Sequence, residues 1–336
     1  MVAKSVGISV VVPCYMKARQ VQRCVNSLLA SRGLGKNFSL EIVVVDDSPD
    51  SSVQNEIKSL SAIAPKGVTY KYNKPKRNAG IAESRNIGVS LSKNEIVIAL
   101  DSDILAESDA VLEILNTFMR VRTASMVMGN IYWKGGAMEG KLDRPRKHDR
   151  RIRIDGVEYL EMTHGRCIAF RRSAFLEAGG YDSVLFPMQG EGPDLSIRFW
   201  RAGHPIVYNP KIRVYHISGF MGKQKPTSPY LYHRWDGERT ALMFRSIVLY
   251  FYKYGQLDAD KSNWMKTIAL ESDKNFGKKT GYLILSSLAG ELHWIANNGS
   301  KIEDSRKKVP NKYNFKPYDV FTDRKLLLEC IKAAGK

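Results

Sequence analysis

Over its first hundred residues the chain alternates short, unbroken apolar runs with longer stretches in which apolar residues recur every three to four positions. The runs ISVVVP (8–13), SLEIVVVDDS (39–48) and EIVIAL (95–100) are rich in Val and Ile and predict strands, as does the shorter GVTYKYNK (67–74). Between them, Val21, Cys24, Val25, Leu28 and Leu29 stand at helical spacing, and IAESRNIGVSLS (81–92) predicts a second helix. Strands that are apolar on both faces belong in a sheet covered on both sides. The pattern therefore implies an α/β fold with a mostly parallel central sheet flanked by helices.

From about 150 to 220 the texture changes. The stretches THGRCIAFRRSAFLEAGGYD (163–182), MQGEGPDLSIRFWRAGH (188–204) and PKIRVYHISGF (210–220) carry Gly and Pro turns among charged residues, the composition of loops around a site. Beyond them the pattern is helical and amphipathic at 237–255 and 281–296. Residues 1–218 are expected to form the α/β unit and residues 219–336 a helical, basic C-terminal extension. Trp133, Tyr159, Tyr181 and Trp200 read as core positions before they read as ligand-stacking platforms.

Two predicted strands end in carboxylates: Asp46 and Asp47 after EIVVV, and Asp101-Ser102-Asp103 after EIVIAL. In parallel α/β sheets ligands bind beyond the carboxyl ends of the strands, so both groups should share one rim. Four carboxylates there repel one another unless cations or donors compensate them. Oxygen ligands on a short rigid triplet suit a hard divalent ion such as Mg²⁺ or Mn²⁺. A turn or a helix cap is the plainer reading of each acidic group taken alone.

Composition narrows the field. At 336 residues and 43% hydrophobic the chain can bury a large core, and its four cysteines lack any C-x-x-C pair, which disfavours a zinc site or a disulfide framework. A reducing, cytoplasmic setting is expected. The opening apolar run is short and broken by Ser9 and Pro13, so it reads as a strand and not as a leader. Any membrane contact is expected to be peripheral, at the inner face, because no apolar run reaches the roughly 18 to 20 residues of a span. The net charge of +18 predicts a polyanionic partner. Its densest run, KLDRPRKHDRRIR (141–153), has the composition of a solvated loop, and aromatics are not interleaved with it, so nucleic acid is not the expected partner. A nucleotidyltransferase would follow its first strand with a glycine-rich loop, whereas PCYMKARQ (13–20) contains no glycine.

Six stretches, ISVVVPCYMKARQVQRCVNSLLA, EIVVVDDSPDSS, NAGIAESRNIG, ALDSD, CIAFRRSAFLEAGGYD and EGPDLSIRFWRAGH, taken in order and spacing, resemble the family 2 glycosyltransferases over about residues 7–218. The resemblance implies the GT-A fold and an inverting, metal-dependent transfer of a hexosyl-type sugar from a nucleoside-diphosphate-sugar to an acceptor hydroxyl. UDP is the first choice of donor nucleotide, with GDP or dTDP next, and the acceptor is a glycan or a lipid-linked glycan. By the same resemblance Asp101, Asp103 and His216 would hold Mn²⁺ or Mg²⁺, and His164, Gly165, Arg166 and Asp182 would edge the sugar or acceptor pocket. Pro13, Tyr15, Asp46, Asp47, Arg77, Asn78, Gly80, Arg85, Asp101 and Ser102 would line the nucleotide-sugar site. The general base falls in GEGPDLSIR, where Gly192 stands in place of the family's usual Asp, leaving Glu191 and Asp194 as the two carboxylates for the role. Asp194 reads equally as a helix N-cap. A catalytically degenerate sugar-nucleotide-binding protein is the alternative that Gly192 raises. The basic C-terminal helices are open to acceptor, membrane or homo-oligomer contacts.

Overall fold

The computed structural model of the chain describes residues 5–134, 140–142, 150–217, 246, 248–255, 293–317 and 319–335. Most of the basic run at 143–149 and much of the amphipathic stretches at 237–255 and 281–296 lie outside the described residues.

The apolar runs form the strands their pattern predicts. β1 (Val6–Cys14), β2 (Phe38–Asp46), β3 (Val68–Asn73) and β4 (Ile96–Leu100) alternate with α1 (Ala18–Leu29), α2 (Ser52–Ala62) and α3 (Gly80–Leu91). Every residue of β4 is buried, as expected for a central strand covered on both faces. The short β5 (Ile104–Ala106) and α4 (Ala110–Arg120) lead to β6 (Met126–Lys134), β7 (Arg151–Ile154), β8 (Val157–Leu160) and β9 (Cys167–Arg171). α5 (Arg172–Glu177), α6 (Glu191–Ala202) and β10 (Ile206–Ile217) follow.

The ten strands of the described residues join one mixed sheet in the order β3-β2-β1-β4-β9-β6-β10-β8-β7, with β5 paired to β10. The first four strands and the β6–β10 pair are parallel, whereas β9 runs antiparallel to both β4 and β6. This reversal matters for the site. An antiparallel β9 begins where β4 ends, since Cys167 pairs with Leu100, so residues 164–166 arrive at the rim that carries Asp101.

The C-terminal residues include α7 (Gly299–Lys307), α8 (Arg324–Ala334) and the helical residues 248–253. Phe315, Val320, Leu327 and Cys330 are buried in the same hydrophobic cluster as the sheet. Trp200 of α6 meets Phe315 and Phe321 edge-on at 6.0 and 5.9 Å between ring centroids. Burial of large side chains of this kind contributes about 1.5–3 kcal/mol each.

Candidate active site

Backbone pairing assembles the rim. Asp101 follows β4 directly, and its N–H donates to the Arg166 carbonyl at 2.9 Å. Ile104 pairs with His216 in the β5–β10 ladder, and the Ile217 N–H donates to the Asp103 carbonyl at 2.9 Å. Register thus sets Asp103 beside His216, with Oδ1 and Nε2 3.7 Å apart. The Trp133 ring, 4.4 Å from the imidazole centroid, backs the histidine.

Lys17, which the motif reading passed over, donates to Asp103 Oδ2 at 2.8 Å. It is delivered by the turn after β1, where Met16 has a φ of 51° and donates its N–H to Ser48 Oγ at 2.7 Å. That left-handed conformation is uncommon for a residue other than glycine and is held here by the hydrogen bond. Burial works against ionisation of Asp103, but His216 and Lys17 together hold its carboxyl well below the ordinary range.

A buried charge chain completes the site. Arg85 of α3 is 1% exposed; its Nη2 meets Asp101 Oδ1 at 2.6 Å and its Nη1 meets Glu191 Oε1 at 2.9 Å. The Tyr181 ring lies against the guanidinium, 5.4 Å from centroid to Cζ. Burial pushes the carboxyls of Asp101 and Glu191 upward, against the pull of Arg85. Burial lowers the pKa of Arg166 in turn, opposed by the charges of Asp101, Asp103 and Glu191.

The structure explains Gly192. A Cβ at this position would lie 3.1 Å from both the Gly165 nitrogen and the Thr163 carbonyl oxygen, because the loop from β8 to β9 crosses the first turn of α6 there. Gly165 answers from the other side. Its φ is +78°, and a Cβ on it would come within 3.2 Å of Glu191 Oε1. Two glycines in contact let the loop press Glu191 against Arg85.

Asp194 sits differently. It is 0% exposed, and both oxygens are engaged: Oδ1 by Lys253 at 2.7 Å and Tyr254 at 2.8 Å, Oδ2 by Arg198 at 2.7 and 2.9 Å. α6 begins at Glu191, with Gly190 in the cap position at φ 84°. Asp182 also turns to the C-terminal residues, accepting from Lys253 Nζ at 2.9 Å and from Ser305. Lys253 pulls the Asp182 carboxyl down to about 2, against the opposing effect of burial.

On the far side of the rim, Asp46 is fully buried and accepts from Tyr72 Oη at 2.7 Å and the Ser48 N–H at 3.0 Å. Asp47 accepts the N–H groups of Ala79 and Gly80 at 2.7 and 2.8 Å, tying the start of α3 to the end of β2. Gly80, at φ +76°, lies against the Pro187 carbonyl. Pro13 and Ser102 are buried, Tyr15, Arg77 and Asn78 are exposed, and His164 is half-buried beside Gly165. Asp46 and Asp47 therefore shape this wall, while Tyr15, Arg77 and Asn78 are exposed to solvent.

Among the described residues no three His, Cys, Asp or Glu side chains are arranged as a metal cage. Asp103 and His216 do offer one carboxylate and one imidazole, with Asp101 adjoining through Ser102. A carboxylate and an imidazole of this kind could hold a divalent ion, Mn²⁺ or Mg²⁺.

Comparison with known proteins agrees with this fold. The family model described as Glycosyl transferase family 2 matches residues 9–179. The chain is 27% identical over 161 residues to the glucosyl-dolichyl phosphate glucuronosyltransferase of Haloferax volcanii, covering 41% of this chain and 48% of that protein. It is 24% identical over 296 residues to human polypeptide N-acetylgalactosaminyltransferase 15, covering 81% of this chain and 45% of the relative. It thus spans less than half the length of these two relatives. Two solved structures share the fold. GalNAc-T7 with UDP, GalNAc and Mn²⁺ superposes with a TM-score of 0.56 at 19% identity, over 75% of this chain and 48% of that one. The mannosyltransferase PcManGT from Pyrobaculum calidifontis, in complex with GDP-Man and Mn²⁺, superposes with a TM-score of 0.53 at 16% identity, over 99% and 88%. The architecture is GT-A, with a helical C-terminal part.

Proposed function

Because the chain belongs to glycosyl transferase family 2, we propose that it moves a hexosyl-type sugar from a nucleoside-diphosphate-sugar to an acceptor hydroxyl by single-displacement inversion. The product would serve glycan, polysaccharide or glycolipid biosynthesis. The observation that carries this reading is Arg85, buried between Asp101 and Glu191 on the rim where Asp103 meets His216.

In this reading the nucleoside lies along Pro13, Tyr15, Arg77, Asn78 and Gly80, on the wall shaped by Asp46 and Asp47. The diphosphate lies over Asp101, Ser102 and Asp103. A divalent ion held by Asp103 and His216, with Asp101 beside them, would supply Lewis-acid stabilisation of the leaving diphosphate. His164, Gly165 and Arg166 edge the sugar, whereas Asp182, which the resemblance placed with them, is engaged by Lys253 and Ser305. Glu191 accepts the proton of the acceptor hydroxyl as its oxygen attacks the anomeric carbon. The bond from that carbon to the diphosphate breaks, and the electron pair leaves with the nucleotide. A general base works best with a pKa near the operating pH, and burial moves Glu191 in that direction. Arg85 holds one carboxylate oxygen and so orients the other. Asp194, with both oxygens engaged, supports the helix and leaves the base role to Glu191.

The solved neighbours that carry UDP or GDP-Man with Mn²⁺ support a nucleotide-sugar donor and that metal. UDP remains the first choice, with GDP or dTDP next. The relative named for a glucosyl-dolichyl phosphate substrate supports a lipid-linked acceptor as one option. Among the described residues no helix is long and apolar enough to cross a membrane.

The test is calorimetry of UDP, GDP, dTDP and CMP with and without Mn²⁺ on wild type, Asp103→Ala and Glu191→Gln. One nucleotide should bind in a metal-dependent way, and Asp103→Ala should lose it. Glu191→Gln should keep it while turnover falls about 10²- to 10⁴-fold. No nucleotide binding under any condition removes the donor reading. A product with retained anomeric configuration by NMR removes inversion.

A further inference from the structure

Lys253 lies within the helical residues 248–253, far along the chain from the carboxylate rim, yet its side chain is 1% exposed. Its ammonium reaches Asp194 Oδ1 at 2.7 Å and Asp182 Oδ2 at 2.9 Å. Arg198 holds the other oxygen of Asp194, so two carboxylates and two cations form a charge-balanced buried cluster. The lysine is itself clamped. Arg306 of α7 donates to the carbonyls of Lys253 and Tyr252 at 3.1 and 2.6 Å.

A buried ammonium persists only where its partners are fixed, because desolvation of an unpaired charge is costly. What matters is where these partners lead. Asp194 stands one helical turn after Glu191 on α6. Asp182 directly follows Tyr181, whose ring lies against the Arg85 guanidinium. The Tyr181 hydroxyl is buried with no hydrogen-bond partner among the described residues, so packing places the ring while the Asn86 side chain of α3 holds the backbone N–H and carbonyl of Tyr181, each at 2.9 Å. The two segments that converge on Lys253 are therefore the two that frame the Arg85–Glu191 pair.

We propose that Lys253 is a positioning residue of the transfer site, through which the C-terminal region ties α6 to residues 181–186 and holds Glu191 in register with Arg85. The inference rests on the reading of Glu191 as the base. It makes the C-terminal region part of the catalytic apparatus.

Lys253→Met alone leaves Asp182 and Asp194 facing each other and can fail to fold. The decisive variant is therefore Lys253→Met with Asp182→Asn, which leaves Arg198 balanced by Asp194. Two measurements are made on the folded full-length protein: hydrogen–deuterium exchange of the amides of residues 191–196, and steady-state kinetics with the donor selected by calorimetry. The expected result is exchange in α6 about tenfold or more above wild type with β1–β4 unchanged. It is accompanied by a kcat about ten- to a hundredfold lower at unchanged donor KM. Unchanged exchange overturns the tether. Faster exchange with wild-type kcat overturns the positioning role and leaves a structural one. If wild type shows no turnover with any donor while exchange still rises, the tether stands and the transferase reading fails.

Discussion

Replacing Arg85 with methionine keeps much of the aliphatic volume and removes the guanidinium that spans Asp101 and Glu191. The side chains of those carboxylates are 18% and 10% exposed, so they lose a cation without gaining water. Breaking a buried pair from one side costs about 3–5 kcal/mol. The carboxylates can escape part of this by binding a proton. The sign with pH follows from linkage. In the variant the folded-state pKa of these carboxyls lies further above the unfolded value near 4, so the folded state binds protons that the unfolded state does not. Stability then falls as pH rises between the two values, and the deficit against wild type closes as pH drops toward 4. Thermal denaturation from pH 5 to 8 measures it. At about 2 °C per kcal/mol the deficit should be about 6–10 °C at pH 7.5 and less than about half of that at pH 5. A deficit that is flat across this range, or below about 2 °C throughout, would refute the buried-pair argument.

The remaining predictions concern the neighbours of this pair. Lys17→Met removes a cation 2.8 Å from Asp103 and should tighten Mn²⁺ binding several-fold in the absence of nucleotide. Because Lys17 is 38% exposed its pair is worth only about 0–1 kcal/mol, so Tm should hardly move; an unchanged Mn²⁺ titration would count against the assignment of Asp103. Gly192→Asp restores the family's usual residue but forces a Cβ to 3.1 Å from backbone atoms of residues 163 and 165. It should cost about 1–3 kcal/mol, and a Tm equal to wild type would show that the loop gives way freely. Asp182, with its carboxyl drawn down to about 2, contributes about 2 kcal/mol that is fully present above the unfolded value near 3.9 and is lost as pH falls through about 2. Acid titration of tryptophan fluorescence should show this step in wild type and lack it in Asp182→Asn.

What could be read in the sequence, and what could not, follows from the range of the forces involved. β1, β2 and β4 were legible because a central strand must be apolar on both faces, and the rim was legible because carboxylates close β2 and β4. The reversal at β9 was not, since strand direction depends on which ladder closes and not on composition. Asp103 and His216 stand out as residues, but the β5–β10 register that joins them acts across more than a hundred positions. Lys17 was hidden for a related reason: its reach to Asp103 depends on the left-handed turn at Met16, a residue type that gives no warning of it. The choice between Glu191 and Asp194 shows the limit most sharply. Both lie in the first turn of one helix, and nothing within GEGPDLSIR separates them. The separation comes from Lys253 and Tyr254, 59 and 60 residues further on, in a region with no motif to mark them. Once a lysine and a tyrosine engage one oxygen of Asp194 and Arg198 the other, that carboxylate has no lone pair directed at the rim. Glu191, held by a single nitrogen of Arg85 and framed by two glycines, is the carboxylate that the proposed transfer uses as its base.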